Sequence, residues 1–206
     1  IFLGSSLIDM YCKCGRIEDA NYIFTSMAQR DVIAWNSIID GFSEMGENKE
    51  AINLFWKMQV DEVSPDEITF VSTLKACTNL GDLQQGRWIH SYAIEFNMFS
   101  QVQVGNTLLD MYAKRGMLEE AQKVFDDLKN RTIVSWGAII AGYASQGHIV
   151  RVLTLFSKMV QSDINPNPVM FSVVLKSCGG EAAREYGMFI HDLVIRSNLH
   201  TDLITG

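Results

Sequence analysis

The chain has 206 residues, 48% of them hydrophobic, and its 17 Lys and Arg against 24 Asp and Glu give a formal net charge of −7. An acidic balance argues against a general phosphate-coating surface but leaves room for a local basic strip, because net charge does not fix how charge is distributed. No apolar run reaches the roughly 18 residues a membrane-spanning helix needs, so no membrane partner is expected. The chain opens without Met and inside a repeat, so it is expected to be a piece of a longer protein.

Taken in order, the chain reads as helical hairpins. In residues 1–31, Leu7, Met10 and Tyr11, then Ala20, Ile23, Phe24 and Met27, predict two short amphipathic helices around Gly15. In 32–66, Trp35, Ile38, Ile39 and Phe42 fall at i, i+3, i+4 and i+7, and Ala51, Ile52, Leu54, Phe55 and Met58 repeat the pattern beyond Gly46. Pro65 closes this hairpin, since proline cannot continue a helix. In 67–101, Phe70, Leu74 and Cys77 mark a first helix and Ile89, Ala93 and Phe96 a second. Gly81 and Asp82 are expected as the turn and the N-cap between them.

The pattern then begins again. Laid on itself at an offset of 101, the sequence matches at 30 of 101 positions without a gap, pairing Trp35 with Trp136, Leu54-Phe55 with Leu155-Phe156 and Pro65 with Pro166. The second block divides as 102–132, 133–167 and 168–202, with 203–206 opening a further unit. A single hairpin cannot bury its own apolar stripe, so repetition predicts one continuous all-α stack. Departures from the repetition are few: Ala182-Ala183 replace Gly81-Asp82, and Pro168 replaces Glu67 at a helix start, where proline is tolerated.

Phrases such as SSLIDMYCKCGRIEDANYIF, VIAWNSIIDGF and ITFVSTLKACTNLGDLQQGRWIH closely resemble plant pentatricopeptide repeat proteins of the PLS class. In that class short, ordinary and long motifs alternate, as 31-, 35- and 35-residue units do here. The resemblance implies a right-handed α-solenoid of helix-turn-helix repeats. It also implies a chloroplast or mitochondrial protein that binds single-stranded RNA one nucleotide per repeat, often to select sites for C-to-U editing. An organellar editing accessory protein is a further implied partner. No cofactor and no catalytic residue are implied for this chain, and its oligomeric state is left open.

In the family the fifth and last residues of a motif read one base while the second packs on base faces. Single-stranded bases expose their Watson–Crick edges to such side chains. Carried over, the resemblance pairs Ser5 with Asp31 (guanine-like), Asn36 with Asp66 (uracil-like), Val71 with Gln101 (no selection) and Asn106 with Thr132 (leaning to a pyrimidine). It pairs Gly137 with Asn167, whose preference is open, and Ser172 with Asp202 (guanine-like, in a long motif that reads poorly). The implied site is 5′-G-U-N-Y-N-(G/N)-3′. Phe2, Ile33, Ile68, Gln103, Val134 and Val169 take the base-packing position, where Gln103 breaks the apolar pattern. Lys13 and Lys114 are the candidates for phosphate contact.

Plainer readings stand beside these. Ser5, Asn36 and Asn106 also suit ordinary hydrogen bonding near a helix start. Trp35, Trp136, Met10, Met111, Met58 and Met159 are expected in the core rather than against bases. His90 and His191 lack a carboxylate or cysteine at helical spacing and are expected to pack or cap, not to bind metal. Cys12, Cys14, Cys77 and Cys178 contain no C-x-x-C, and no H-x-E occurs, so neither a disulfide framework nor a deaminase-type zinc site is expected. The competing function is a helical-repeat scaffold that binds proteins, as tetratricopeptide repeats do.

Overall fold

The structure, a computed structural model, describes residues 2–177. The helices are α1 (Phe2–Lys13) and α2 (Ile17–Ser26), α3 (Val32–Glu44) and α4 (Asn48–Val60), and α5 (Glu67–Leu80) and α6 (Leu83–Glu95). A 3-10 turn at Met98–Ser100 precedes α7 (Val102–Lys114) and α8 (Leu118–Asp127), then α9 (Ile133–Ser145) and α10 (Ile149–Gln161), and α11 (Pro168–Ser177). The described residues contain no β-strand.

The turns follow local chemistry. Gly81 closes α5 in the left-handed region (φ 81°), and the Asp82 side chain accepts the Gln85 N–H at 3.0 Å to cap α6, as the Gly-Asp pair predicts. Helices α4 and α10 end without glycine: Glu62 and Asp163 adopt φ of 55° and 56°. There Val63 N–H donates to Met58 O and Ile164 N–H to Met159 O, satisfying carbonyls the helix leaves open. Ala182-Ala183 lie outside the described residues.

Contacts gather into two compact units, residues 1–111 and 112–206. In the first, α3 packs on α1, α4 and α5. Its core is aromatic: Trp35, Phe24, Phe55 and Phe70 are fully buried, with Phe24 edge-on to Trp35 at 4.7 Å and Phe55 tilted against Phe70 at 5.7 Å. Each such ring contributes about 1.5–3 kcal/mol by leaving water. In the second unit Phe125 meets Trp136 edge-on at 4.8 Å, and Phe156 meets Phe171 at 5.3 Å. Both tryptophans are core residues, as the stripe predicts, and neither indole N–H has a hydrogen-bond partner.

An arginine holds the end of each short hairpin. Arg30 lies over the Phe24 ring and donates to Phe24 O and Thr25 O; Arg131 lies over Phe125 and donates to Phe125 O and Asp126 O. These carbonyls end α2 and α8, so the guanidinium does there what water otherwise would.

Small residues let first helices approach. A Cβ on Gly41 would lie 2.2 Å from Cys12 Sγ, and one on Gly142 would lie 2.9 Å from the Ala113 Cβ. The expectation for Met10 is corrected. Met58, Met111 and Met159 are buried, but Met10 is 43% exposed. Met111 lies where a Cβ on Gly86 would meet its Sδ at 2.3 Å, so the bare backbone of α6 covers it. Met10 stands in the first hairpin, and the described residues include no earlier helix to cover it.

Candidate nucleic-acid interface

Helices α1, α3 and α5 line an open groove of about 260 Å³. Ile33 at the start of α3 and Ile68 at the start of α5 line it together with Asn36 and Asp66. Both isoleucines are large apolar side chains left half in water, at 49% and 57% exposure. Val134 on α9 and Val169 on α11, at the same place in their helices, are 59% and 68% exposed. Four apolar residues at one register position, none used in the core, suit stacking against planar groups. Gln103 on α7 is exposed, and Phe2 is the first residue of α1.

The groove's polar centre is a closed network. Asn36, only 7% exposed, donates through Nδ2 to both oxygens of Asp66, at 2.9 and 3.0 Å. Thr69, fully buried, donates its hydroxyl to Asn36 Oδ1 at 2.5 Å and accepts the Asp66 backbone N–H at 3.1 Å. Asp66 Oδ1 in turn accepts the Thr69 N–H at 3.0 Å, which completes a capping box at the start of α5. The structure thus joins the fifth and last residues of the second repeat. Sequence reasoning misses Thr69, although the Asp-x-x-Thr spacing carries the signal.

Three other last-position residues are N-caps too. Asp31 Oδ1 accepts the Ala34 N–H at 2.9 Å, Thr132 forms a capping box with Ser135, and Asn167 Oδ1 accepts the Met170 N–H at 2.9 Å. Gln101 is exposed and ends the 3-10 turn, its N–H donating to Met98 O. Among fifth-position residues, Ser5 is buried, Val71 and Asn106 are half-buried, and Ser172 is exposed. Gly137 faces open space, with no atom within 4 Å of an added Cβ. Asp202 lies outside the described residues.

Charge in the groove is acidic. Asp9, Asp40, Glu44 and Asp66 line it, against Lys13 alone among cations. Lys13 donates to Asp9 at 2.7 Å, an exposed pair whose hydrogen bond raises the Lys13 pKa. Asp40 accepts the Ser72 hydroxyl at 2.7 Å. Cys12, also in the groove, has its thiol pushed up to about 11, first by burial and then by Asp9, Asp40 and Glu44, so it is no nucleophile at neutral pH. Lys114 is exposed on α7. His90 packs its ring on Phe99 at 5.8 Å, and His191 and Cys178 lie outside the described residues. Among the described residues no group of three or more His, Cys, Asp or Glu is placed to hold a metal.

The helical hairpins and their repeated packing define a helical-repeat solenoid, and comparison narrows the class. The family model for the PPR repeat family matches residues 30–79 and 131–180, and that for the PPR repeat matches 5–32 and 106–133. The pentatricopeptide repeat-containing protein At1g11290, chloroplastic, of Arabidopsis thaliana is 36% identical over 197 residues, 96% of this chain and 24% of its own length. At2g03380, mitochondrial, from the same plant is 38% identical over 179 residues, 86% of this chain and 26% of its own length. The crystal structure of the pentatricopeptide repeat protein PPR10 from maize superposes with a TM-score of 0.75 at 21% identity, covering 95% of this chain and 29% of that one. PPR10 in complex with an 18-nt psaJ RNA element gives 0.70 at 20% identity, covering 95% and 31%. The chain belongs to the pentatricopeptide repeat family and spans about a quarter of the length of these curated relatives.

Proposed function

We propose that the chain is a recognition module for single-stranded RNA, reading one nucleotide per repeat and selecting uracil opposite the second repeat. The observation that carries this reading is the hydrogen-bonded Asn36–Asp66 pair lining one groove with the exposed Ile33 and Ile68. A base slid between two apolar side chains meets an amide and a carboxylate at its edge, which is how an unpaired base is distinguished. Binding by edges and faces also suits a groove with little positive charge. PPR10, with the same fold, has been crystallised with RNA, which supports the same ligand class here.

The alternation of 31-, 35- and 35-residue units supports the PLS class, and the chloroplastic and mitochondrial relatives support an organellar home. On this reading the chain itself catalyses nothing. Its use is to place an RNA-processing activity such as C-to-U editing, with an accessory protein as a further partner. The remaining pairs, Ser5 with Asp31, Val71 with Gln101, Asn106 with Thr132, Gly137 with Asn167 and Ser172 with Asp202, extend the proposed site to six nucleotides. Phe2, Gln103, Val134 and Val169 take the base-packing positions and Lys13 and Lys114 the phosphates. The four groove carboxylates favour one second reading, a basic peptide as ligand.

Selection from a random single-stranded RNA pool, repeated with Asp66→Asn, tests the proposal. Enrichment of RNA at low salt, with a changed base opposite the second repeat in the variant, is expected. Failure to retain RNA, together with capture of a polylysine peptide by the same protein, rejects it in favour of the peptide reading.

A further inference from the structure

We infer that Thr69, a residue of the next repeat's first helix, is a positioning residue that locks the Asn36 amide in the polarity Asp66 imposes and thereby sharpens the second repeat's selection of a base-edge acceptor over a donor. The inference rests on the RNA reading of the groove and adds a third side chain to it.

Donor and acceptor inventories fix which way the Asn36 amide points. A carboxylate only accepts, so Asp66 forces the Asn36 NH₂ group toward itself, at 2.9 and 3.0 Å. The amide carbonyl must then face the other way, and it meets the Thr69 hydroxyl at 2.5 Å. That hydroxyl has one proton and accepts the Asp66 backbone N–H at 3.1 Å, which leaves the proton for Asn36 Oδ1; Asp66 Oδ1, at 3.0 Å, is the more distant alternative. Thr69 is fully buried and does not line the groove, whereas Asp66 does. The carbonyl side of Asn36 is therefore turned into the helix packing and the nitrogen side toward the groove.

With one N–H shared between the two Asp66 oxygens, what Asn36 has left to offer the groove is its second N–H. A uracil edge offers carbonyl acceptors to that N–H, and its ring N–H can reach the Asp66 carboxylate. Cytosine presents an exocyclic amino donor where uracil has a carbonyl, and donor against donor leaves both unpaired, which weakens binding about tenfold.

The sequence supplies an independent sign. Three residues after the last position of each of the first five repeats stand Ala34, Thr69, Val104, Ser135 and Met170. The two hydroxyls among them, Thr69 and Ser135, follow the two repeats with asparagine in fifth position, Asn36 and Asn106. Ser5, Val71 and Gly137 are followed by apolar residues. In the sixth repeat the hydroxyl of Thr205 follows Ser172, so a hydroxyl at this place accompanies both fifth-position asparagines without being confined to them.

The test uses the full chain and the single-stranded RNA recovered by selection, synthesised with U or with C opposite the second repeat. Wild type is expected to prefer U by about tenfold, toward the low end of what one well-placed hydrogen-bonded pair discriminates. Thr69→Val removes the hydroxyl and keeps the shape. The amide is then held from one side only, by Asp66, and its N–H is less sharply aimed, so U is expected to lose more affinity than C and the ratio to fall to about threefold or less. Thr69→Ser restores the preference. If Thr69→Val does not melt cooperatively, Thr69→Ala carries the same expectation.

A folded Thr69→Val or Thr69→Ala protein that binds both RNAs with the wild-type ratio overturns the inference while leaving the RNA reading intact. So does equal weakening for U and C. Absence of RNA binding by wild type rejects the RNA reading and this inference with it.

Discussion

Asp66 uses one carboxylate for two purposes: it caps α5 through the Thr69 N–H and it holds the Asn36 amide. Substitutions separate the two. Asp66→Ala removes the cap and strands the amide, and is expected to cost about 1–3 kcal/mol in denaturant unfolding. Asp66→Asn keeps a side chain that caps equally well, so stability is expected to stay within about 0.5 kcal/mol while base preference shifts. Gly137 offers the converse experiment. An added side chain there meets nothing within 4 Å, so Gly137→Asn is expected to raise stability by a few tenths of a kcal/mol and to create a base preference opposite the fifth repeat. A melting curve and a repeated selection check the two halves. Both buried thiols also give a pH prediction. Burial pushes Cys12 up to about 11 and Cys77 up to about 12, against an ordinary 9.0. The unfolded chain therefore loses these protons first, so their contribution is constant below about pH 9 and stability falls as pH rises from there toward 11–12. Urea melts across that range measure it, and alkylation at pH 8 is expected at the exposed Cys14 before either buried thiol.

Between elements, the closest approaches are set by glycines whose neighbours differ in freedom. Gly41→Ala would put a Cβ 2.2 Å from Cys12 Sγ and 2.8 Å from Cys12 Cβ, an atom fixed to the α1 backbone, and is expected to cost about 1–3 kcal/mol. Gly86→Ala meets Met111 at Sδ and Cε, the far end of a flexible side chain, and gains helix propensity, so its net effect is expected within about 1 kcal/mol of zero. Paired thermal or urea melts distinguish the two. Helix positions were legible because the 3.6-residue stripe reports burial directly: Trp35, Ile38, Ile39, Leu54, Phe55 and Met58 are all in the core. The fates of Met10 and Met111 were not. Their local sequences match, and only the helix stacked against each, α6 for Met111, decides which is covered. The N-cap role of the last-position residues was written in the spacing Asp66-x-x-Thr69 and Thr132-x-x-Ser135. The bond from Thr69 to Asn36 was not, because it joins residues 33 apart.

For the whole molecule, the repeat at offset 101 made the fold class legible, since only stacking lets such hairpins bury their stripes. The net charge of −7 announced an acidic protein without saying where the acid lies; the structure puts four carboxylates on the groove of the first unit. Phosphates gain little there. With Lys13 and Lys114 as the phosphate candidates, the slope of log binding constant against log salt is expected to be shallow, about −1 to −2. The central claim, that the groove reads a base by its edge, is tested most directly by equilibrium titration of the chain with four single-stranded RNAs. These differ only in the base opposite the second repeat, and each is measured with wild type and with Asp66→Asn. The account predicts that wild type binds the uracil RNA most tightly and that Asp66→Asn changes the order of the four. Four equal affinities for wild type, or an order untouched by Asp66→Asn, would contradict it.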